Sequence, residues 1–456
     1  MRLTKRRITG AVLLGLGMTL AGCGGINEMF YGEKDGPPLE GERETIIVET
    51  DPLAKEPGIG GVSIPAPHVN ASWSQPGGVA SNAPGHLAAG SGLNRLWSLD
   101  AGVGSSGAGR LTASPVIDGG RIYVIDAKAN VSAYSAAGGK RYWRAGLKPK
   151  GESASEGYGG GVAAGGGRVF ATTGFGTVVA LDAATGRRVW EKKLGSPVRS
   201  SPTVANGKVY LVTVDNRIFC LSATDGEVVW DFRRYAESAG VLGSPSPAVS
   251  GNYVVAPYSS GEIIAFNTET GKPAWADSFS RTQRMSPIAK LSTISGRPVI
   301  DRGFVYAISH SGRMGAVNLK SGERVWARNI GGTQTPWVAG NTVFVVSLDG
   351  KLYALDRTNG KMRWQLNLNK AEKVKPEKKK GFFRKKKKAA VIWNGPVLAG
   401  GRLLLVSSDG RLVSVSPQDG RVTGGRSLGG KYLIPPVVAN GIVYVLANSA
   451  RLTALR

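Results

Sequence analysis

The 456-residue chain has only two cysteines, so at most one disulfide can form. Its three histidines, His68, His86 and His310, are too far apart to show metal-ligand spacing. Acidic residues are scarce as well: 32 Asp and Glu stand against 58 Lys and Arg, a formal net charge of +26. That excess is local. Arg2, Lys5, Arg6 and Arg7 crowd the N-terminus, and residues 370–388 hold eleven basic residues against Glu372 and Glu377. The rest is mildly basic and shows no aromatic-basic constellation of a nucleic-acid reader, so no nucleic acid is expected as a partner. Long amphipathic helical patterns are missing too, which points to an all-β chain.

Glycine, by contrast, is abundant: 66 residues, about one in seven, against an average usage of ~7%. Set among Val, Ile, Tyr and Trp, it implies many short strands joined by tight turns. Self-comparison makes this specific. A phrase built from Ser-Pro-x-Val, a glycine turn and an aromatic-aliphatic strand recurs at 114–126, 161–173, 201–213, 246–258, 297–309, 335–347, 395–407 and 435–447. A second phrase follows each, as in GTVVALDAATGRRVW. The seventh copy, GRLVSVSPQDGRVTG, has lost its Trp, and the eighth, ARLTALR, stops where the chain ends.

Copies spaced 38 to 60 residues apart suit four-stranded blades of about 40–45 residues. The expectation is an eight-bladed β-propeller over residues 93–456. The 60-residue interval holds the basic run 370–390, read as an insertion in blade seven. LNRLWSLD (93–100) carries a Trp where the eighth unit lacks one. It is expected to pair with 449–456, complete the last blade and close the ring, leaving only short protected edges.

The repetition also assigns individual residues. Trp97, Trp143, Trp190, Trp230, Trp275, Trp326 and Trp364 recur once per blade and read as packing between blades. Asp182, Asn267, Asn318 and Asp356 precede hairpin turns, where a short polar side chain bonds the backbone. Cys220 occupies a column otherwise filled by Ala133, Ala180, Ala265, Ala316, Ala354, Ser414 and Ala454, so it reads as a small apolar residue. No catalytic residue, metal site or cofactor is expected.

At the N-terminus, a basic stretch precedes the apolar run Ala11–Ala21. That run is shorter than the ~20 residues a membrane span needs and fits a signal peptide. It ends in Leu20-Ala21-Gly22-Cys23, which resembles a bacterial lipobox. The resemblance implies a signal peptide over 1–22, a lipidated Cys23 and retention at the outer membrane on its periplasmic face, since Gly24 rather than Asp follows the Cys. Residues 23–92 are rich in Gly, Pro and Ser and read as a tether, with Trp73 docking on the folded body and ordered structure beginning near Leu93.

The A-x-D-x-x-T-G-x-x-x-W wording is similar to repeats of quinone-dependent propeller dehydrogenases. The lipobox, the eight blades and segments such as APYSSGEIIAFNTETGKPAW and PPVVANGIVYVLA resemble the BamB family of outer-membrane β-barrel assembly lipoproteins, in its α-proteobacterial form. The dehydrogenases keep adjacent cysteines under the quinone, a Ca²⁺ site and long insertions roofing the pocket; here adjacent cysteines, a CxxCH motif and such insertions are absent. The BamB resemblance implies a non-catalytic scaffold, a monomer within a complex, that binds the barrel-forming subunit BamA and takes unfolded outer-membrane precursors as further partners.

It also implies that BamA contacts fall in Ala239–Ser244 and Leu291–Arg297, with Val241, Leu242, Thr293 and Ser295 as candidates. The enterobacterial acidic pair and arginine are not matched at those positions. A quinone enzyme and a general envelope-binding propeller stay open as alternatives. Lys378, Lys379, Lys380, Phe382, Phe383, Arg384, Lys385, Lys386, Lys387 and Lys388 form a candidate contact with anionic lipid or an acidic partner, against the alternative of a solvated loop.

Overall fold

The computed structural model describes residues 59–107, 109–153, 157–234, 245–280, 293–370 and 390–456. Its strands form eight four-stranded antiparallel sheets, the blades of a propeller. Blade one runs through Val116–Asp118, Arg121–Ile125, Asn130–Ser135 and Arg141–Gly146, from the central axis outward. Blades two to seven repeat that order. In blade eight, Val437–Ala439, Ile442–Leu446 and Arg451–Leu455 are completed by Arg95–Asp100, which pairs antiparallel with Arg451–Leu455. The expected closure is therefore present.

The middle strands of each blade are buried on both faces because neighbouring blades cover them. They read as continuous apolar runs, such as IYVI, VYLV and VFVV, rather than alternating ones. In six of the eight blades a small residue sits in register between an aromatic and the Trp: Cys220 lies between Tyr210 and Trp230, and Ala180 between Phe170 and Trp190. Blade four has Val255 in place of the aromatic, and blade seven has Leu404 and Gly424. A larger side chain there would separate the rings, whose centroids lie 6.0 and 5.9 Å apart. This is why the column takes only Ala, Ser or Cys.

The same Trp ties its blade to the next. Trp230 Nε1 donates to Thr268 O at 3.0 Å, and Trp275 Nε1 to Leu319 O at 2.7 Å, each acceptor lying in the outer hairpin of the following blade. The glycine of that hairpin receives the indole face. A β-carbon on Gly271 would stand 2.6 Å from Trp230, and one on Gly322 would stand 2.5 Å from Trp275. These glycines are thus required twice, by their positive φ and by the ring against them.

Two expectations are corrected. Residues 371–389 lie outside the described residues, but their flanks place the basic insertion between blades six and seven. Blade six ends at Asn367, and blade seven begins at Trp393. Copies aligned on inner strands bracket an insertion without saying which blade it follows.

The tether also ends earlier than Leu93. Residues 59–92 lie against the propeller, with Leu87 fully buried and Trp73 docked as expected. The segment travels round the axis along the inner strands. Ile117 N donates to Trp73 O, Ala164 N to Ser74 O, Val249 N to Ala80 O and Ile300 N to Ser81 O, all at 2.8–2.9 Å. Gln75 Oε1 accepts from Val204 N at 3.0 Å, and Leu87 N donates to Leu398 O at 3.1 Å. These residues occupy one column of the repeat, the channel-facing edge of each inner strand, where no neighbouring strand can pair. An aperiodic segment closes that edge with main-chain bonds.

Candidate functional site

Each blade has four antiparallel strands, so every connection from an outer strand to the next inner strand falls on one face of the propeller. The inner-strand hairpins and the segment 59–92 fall on the opposite face. Among the long connections on the first face are those that leave Arg233, Ser278 and Asn367. Each springs from an anchored stem.

Arg234, at the start of the first, makes a bidentate pair with Glu262 at 2.8 and 3.1 Å, which holds the Glu262 carboxyl below its usual range. The second departs after the buried Phe279 and returns at the buried Ile294, whose main chain bridges Ser309. The third rises from the buried Leu368, and Trp393 Nε1 on its far side bonds Asn369 Oδ1 at 3.0 Å.

The expected partner residues distribute unevenly. Val241 and Leu242 lie outside the described residues, as do Cys23 and the basic run from Lys378 to Lys388. Ser295 is partly exposed and donates to Thr293 O. Thr293 is buried, and its carbonyl also receives His310 N at 3.0 Å. Its side chain is not presented to a partner, because Thr293 is part of the stem rather than of the connection it supports.

The axial channel is floored by residues 59–92. Trp73 and Trp337 stack there, with centroids 6.3 Å apart and planes 23° apart. His86 braces the segment: Nδ1 donates to Pro65 O at 2.6 Å while Nε2 accepts from Gly401 N at 2.9 Å. Above this floor is a cleft that opens toward the face with the long connections. Arg297 in its wall was not singled out in the sequence reading. The repeat alignment marks it nonetheless, since the residue before the proline is otherwise Ser, Thr, Gly or Pro.

Other polar groups are used structurally. Asp182 accepts from Thr185 N and Oγ1 at 2.8 and 2.6 Å, and the hydroxyl bond holds its pKa below the usual value. Asn267 and Asn318 cap their turns in the same way. Burial pushes the Cys220 thiol up to about 12, which removes the thiolate a nucleophile needs. Among the described residues, no three of His, Cys, Asp and Glu gather as a metal site.

The family described as outer membrane protein assembly factor BamB matches residues 85–156, 127–366 and 373–456. The chain is similar to the outer membrane protein assembly factor BamB of Yersinia pestis, 26% identical over 345 residues, covering 75% of this chain and 83% of that one. Among solved structures, BamB from Moraxella catarrhalis superimposes with a TM-score of 0.60 at 20% identity, over 80% of this chain and 99% of its own. A quinohemoprotein alcohol dehydrogenase from Comamonas testosteroni gives 0.64 at 14% identity, over 84% and 80%. At such identities the two structures report the propeller fold alone.

Proposed function

Because the chain belongs to the outer membrane protein assembly factor BamB family, we propose that it is a non-catalytic scaffold of the outer-membrane β-barrel assembly complex. In this reading a lipid on Cys23 holds it at the periplasmic face of the outer membrane, and it docks the barrel-forming subunit BamA. The observation that carries the docking reading is the arrangement of one face. Successive connections, from blade three to four and from four to five, leave side by side from stems locked by Arg234–Glu262, Phe279 and Ile294. Rigid posts under surface loops are how a scaffold presents a binding surface.

Unfolded precursors fit the outer rim. Each blade ends in an unpaired strand edge, and Leu96, Tyr142, Val189, Val229 and Val325 are exposed on these strands just before the Trp. An extended chain can add to such an edge through main-chain bonds. The basic run would bear on anionic lipid beside the anchored propeller, at about 1 kcal/mol per Lys or Arg near the surface.

The test is site-specific photocrosslinking in cells. A photoreactive residue at Leu242 or Ser295 should capture BamA, and one at Lys208 on the opposite face should not. Equal capture from both faces, or none from Leu242 and Ser295, would remove the docking reading. Cys23→Ala should release the protein from membranes.

A further inference from the structure

The cleft in the axial channel has two hydrogen-bond donors with no acceptor. Arg297 Nε and Trp73 Nε1 are both enclosed, both lack a partner among the described residues, and both residues line the same cleft. The nearest help for the guanidinium is weak: Arg297 Nη1 lies 3.4 Å from Thr335 Oγ1. No carboxylate among the described residues pairs with it, and burial draws its pKa down to about 10, so it stays cationic at neutral pH.

A partly buried cation without a counter-ion weakens a fold, and the repeat shows that the fold does not need it. The equivalent residues before the inner strands are Ser114, Gly161, Ser201, Ser246, Thr335, Gly395 and Pro435. Seven blades are built without a charge at this column, so the arginine is a local addition to the channel.

We propose that the cleft is a binding site for a carboxylate carrying an apolar body, with the Arg297 guanidinium and the Trp73 N–H holding the carboxylate oxygens. One cation matches one negative charge, and the planar fork of an arginine matches a planar carboxylate. The remaining wall selects the body: Trp337, Pro76, Pro396 and Pro436 supply flat apolar surface and no further cation. Phosphate, with a second charge and no apolar part, fits less well. The carboxylate belongs either to a free small acid or to the C-terminus of an extended chain. Both would enter from the face with the long connections, toward which the inner strands' first residues point. The site stands apart from the docking role, since it uses the channel rather than the loops.

The experiment is calorimetric titration of the full-length protein in detergent with benzoate, benzamide, inorganic phosphate, N-acetylphenylalanine and its amide. Benzoate should bind saturably while benzamide and phosphate do not. N-acetylphenylalanine binding more tightly than benzoate would assign the site to a chain terminus, and the reverse order to a small acid. Arg297→Gln should weaken benzoate at least about tenfold, the usual weight of a charge-assisted hydrogen bond. Trp73→Phe, which keeps the ring and removes the donor, should weaken it less.

Crystals of the unaltered protein soaked in 4-iodobenzoate keep the proposal testable if either variant misfolds. The iodine should lie in the cleft beside Trp337. Binding of benzamide equal to benzoate, binding of phosphate equal to benzoate, unchanged affinity in a folded Arg297→Gln protein, or iodine elsewhere would each overturn the proposal.

Discussion

Seven of the eight blade junctions share one device, and the eighth, between blades seven and eight, does without it. At the seven, a Trp from the outer strand bonds the main chain of the next blade's outer hairpin and lies on its glycine; the Nε1 distances run from 2.7 to 3.1 Å. At the eighth, blade seven carries Gly424 in the Trp position, opposite Ser414. Blade eight offers no hairpin to receive an indole, because its outer two strands come from opposite ends of the chain. Arg426 reaches across instead and donates to Leu93 O at 2.8 Å. The missing Trp of the seventh repeat is therefore a consequence of closure: where the receiving turn is absent, the ring has no partner.

Breaking the closure should have the largest effect. Removing Arg95–Asp100 strips blade eight of its outer strand and exposes Arg451–Leu455 as a new edge. Calorimetry should then show a broadened, non-cooperative transition in place of a single one.

Breaking one ordinary junction should cost less. Trp230→Ala removes a buried ring and its bond to Thr268, an expected loss of about 3–5 kcal/mol, read as a lowered urea midpoint. The smallest pair of changes sharpens the contrast. Gly271→Ala places a methyl against Trp230 at positive φ and should cost about 1–3 kcal/mol. Gly424→Ala meets nothing within 4 Å and should be neutral or gain roughly 0.5 kcal/mol from strand entropy. Equal urea midpoints for these two alanine variants would show that the two kinds of junction do not differ.

Much of this was legible in the sequence because repetition amplifies it. Eight in-register phrases announce eight blades, and the Ala column with Cys220 announces a position that tolerates only small side chains. Trp73 was expected to dock, and it does. Less legible was Thr293, since a stem and the loop it supports have similar composition. Arg297 stood in view as the odd member of a repeated column, but one departure among eight copies carries no meaning until the channel around it is known.

Sequence by itself determined the architecture of this protein, its blade number and the pairing of Arg95–Asp100 with Arg451–Leu455. These follow from local periodicity and from side chains that each blade must bury. Tertiary structure alone decided the course of residues 59–92 round the axis and the cleft above them. The segment is held largely by main-chain bonds, from Ile117 N to Trp73 O and from Ile300 N to Ser81 O among them. Main-chain groups are the same in every residue, so a contact made by them leaves little imprint on the side-chain pattern.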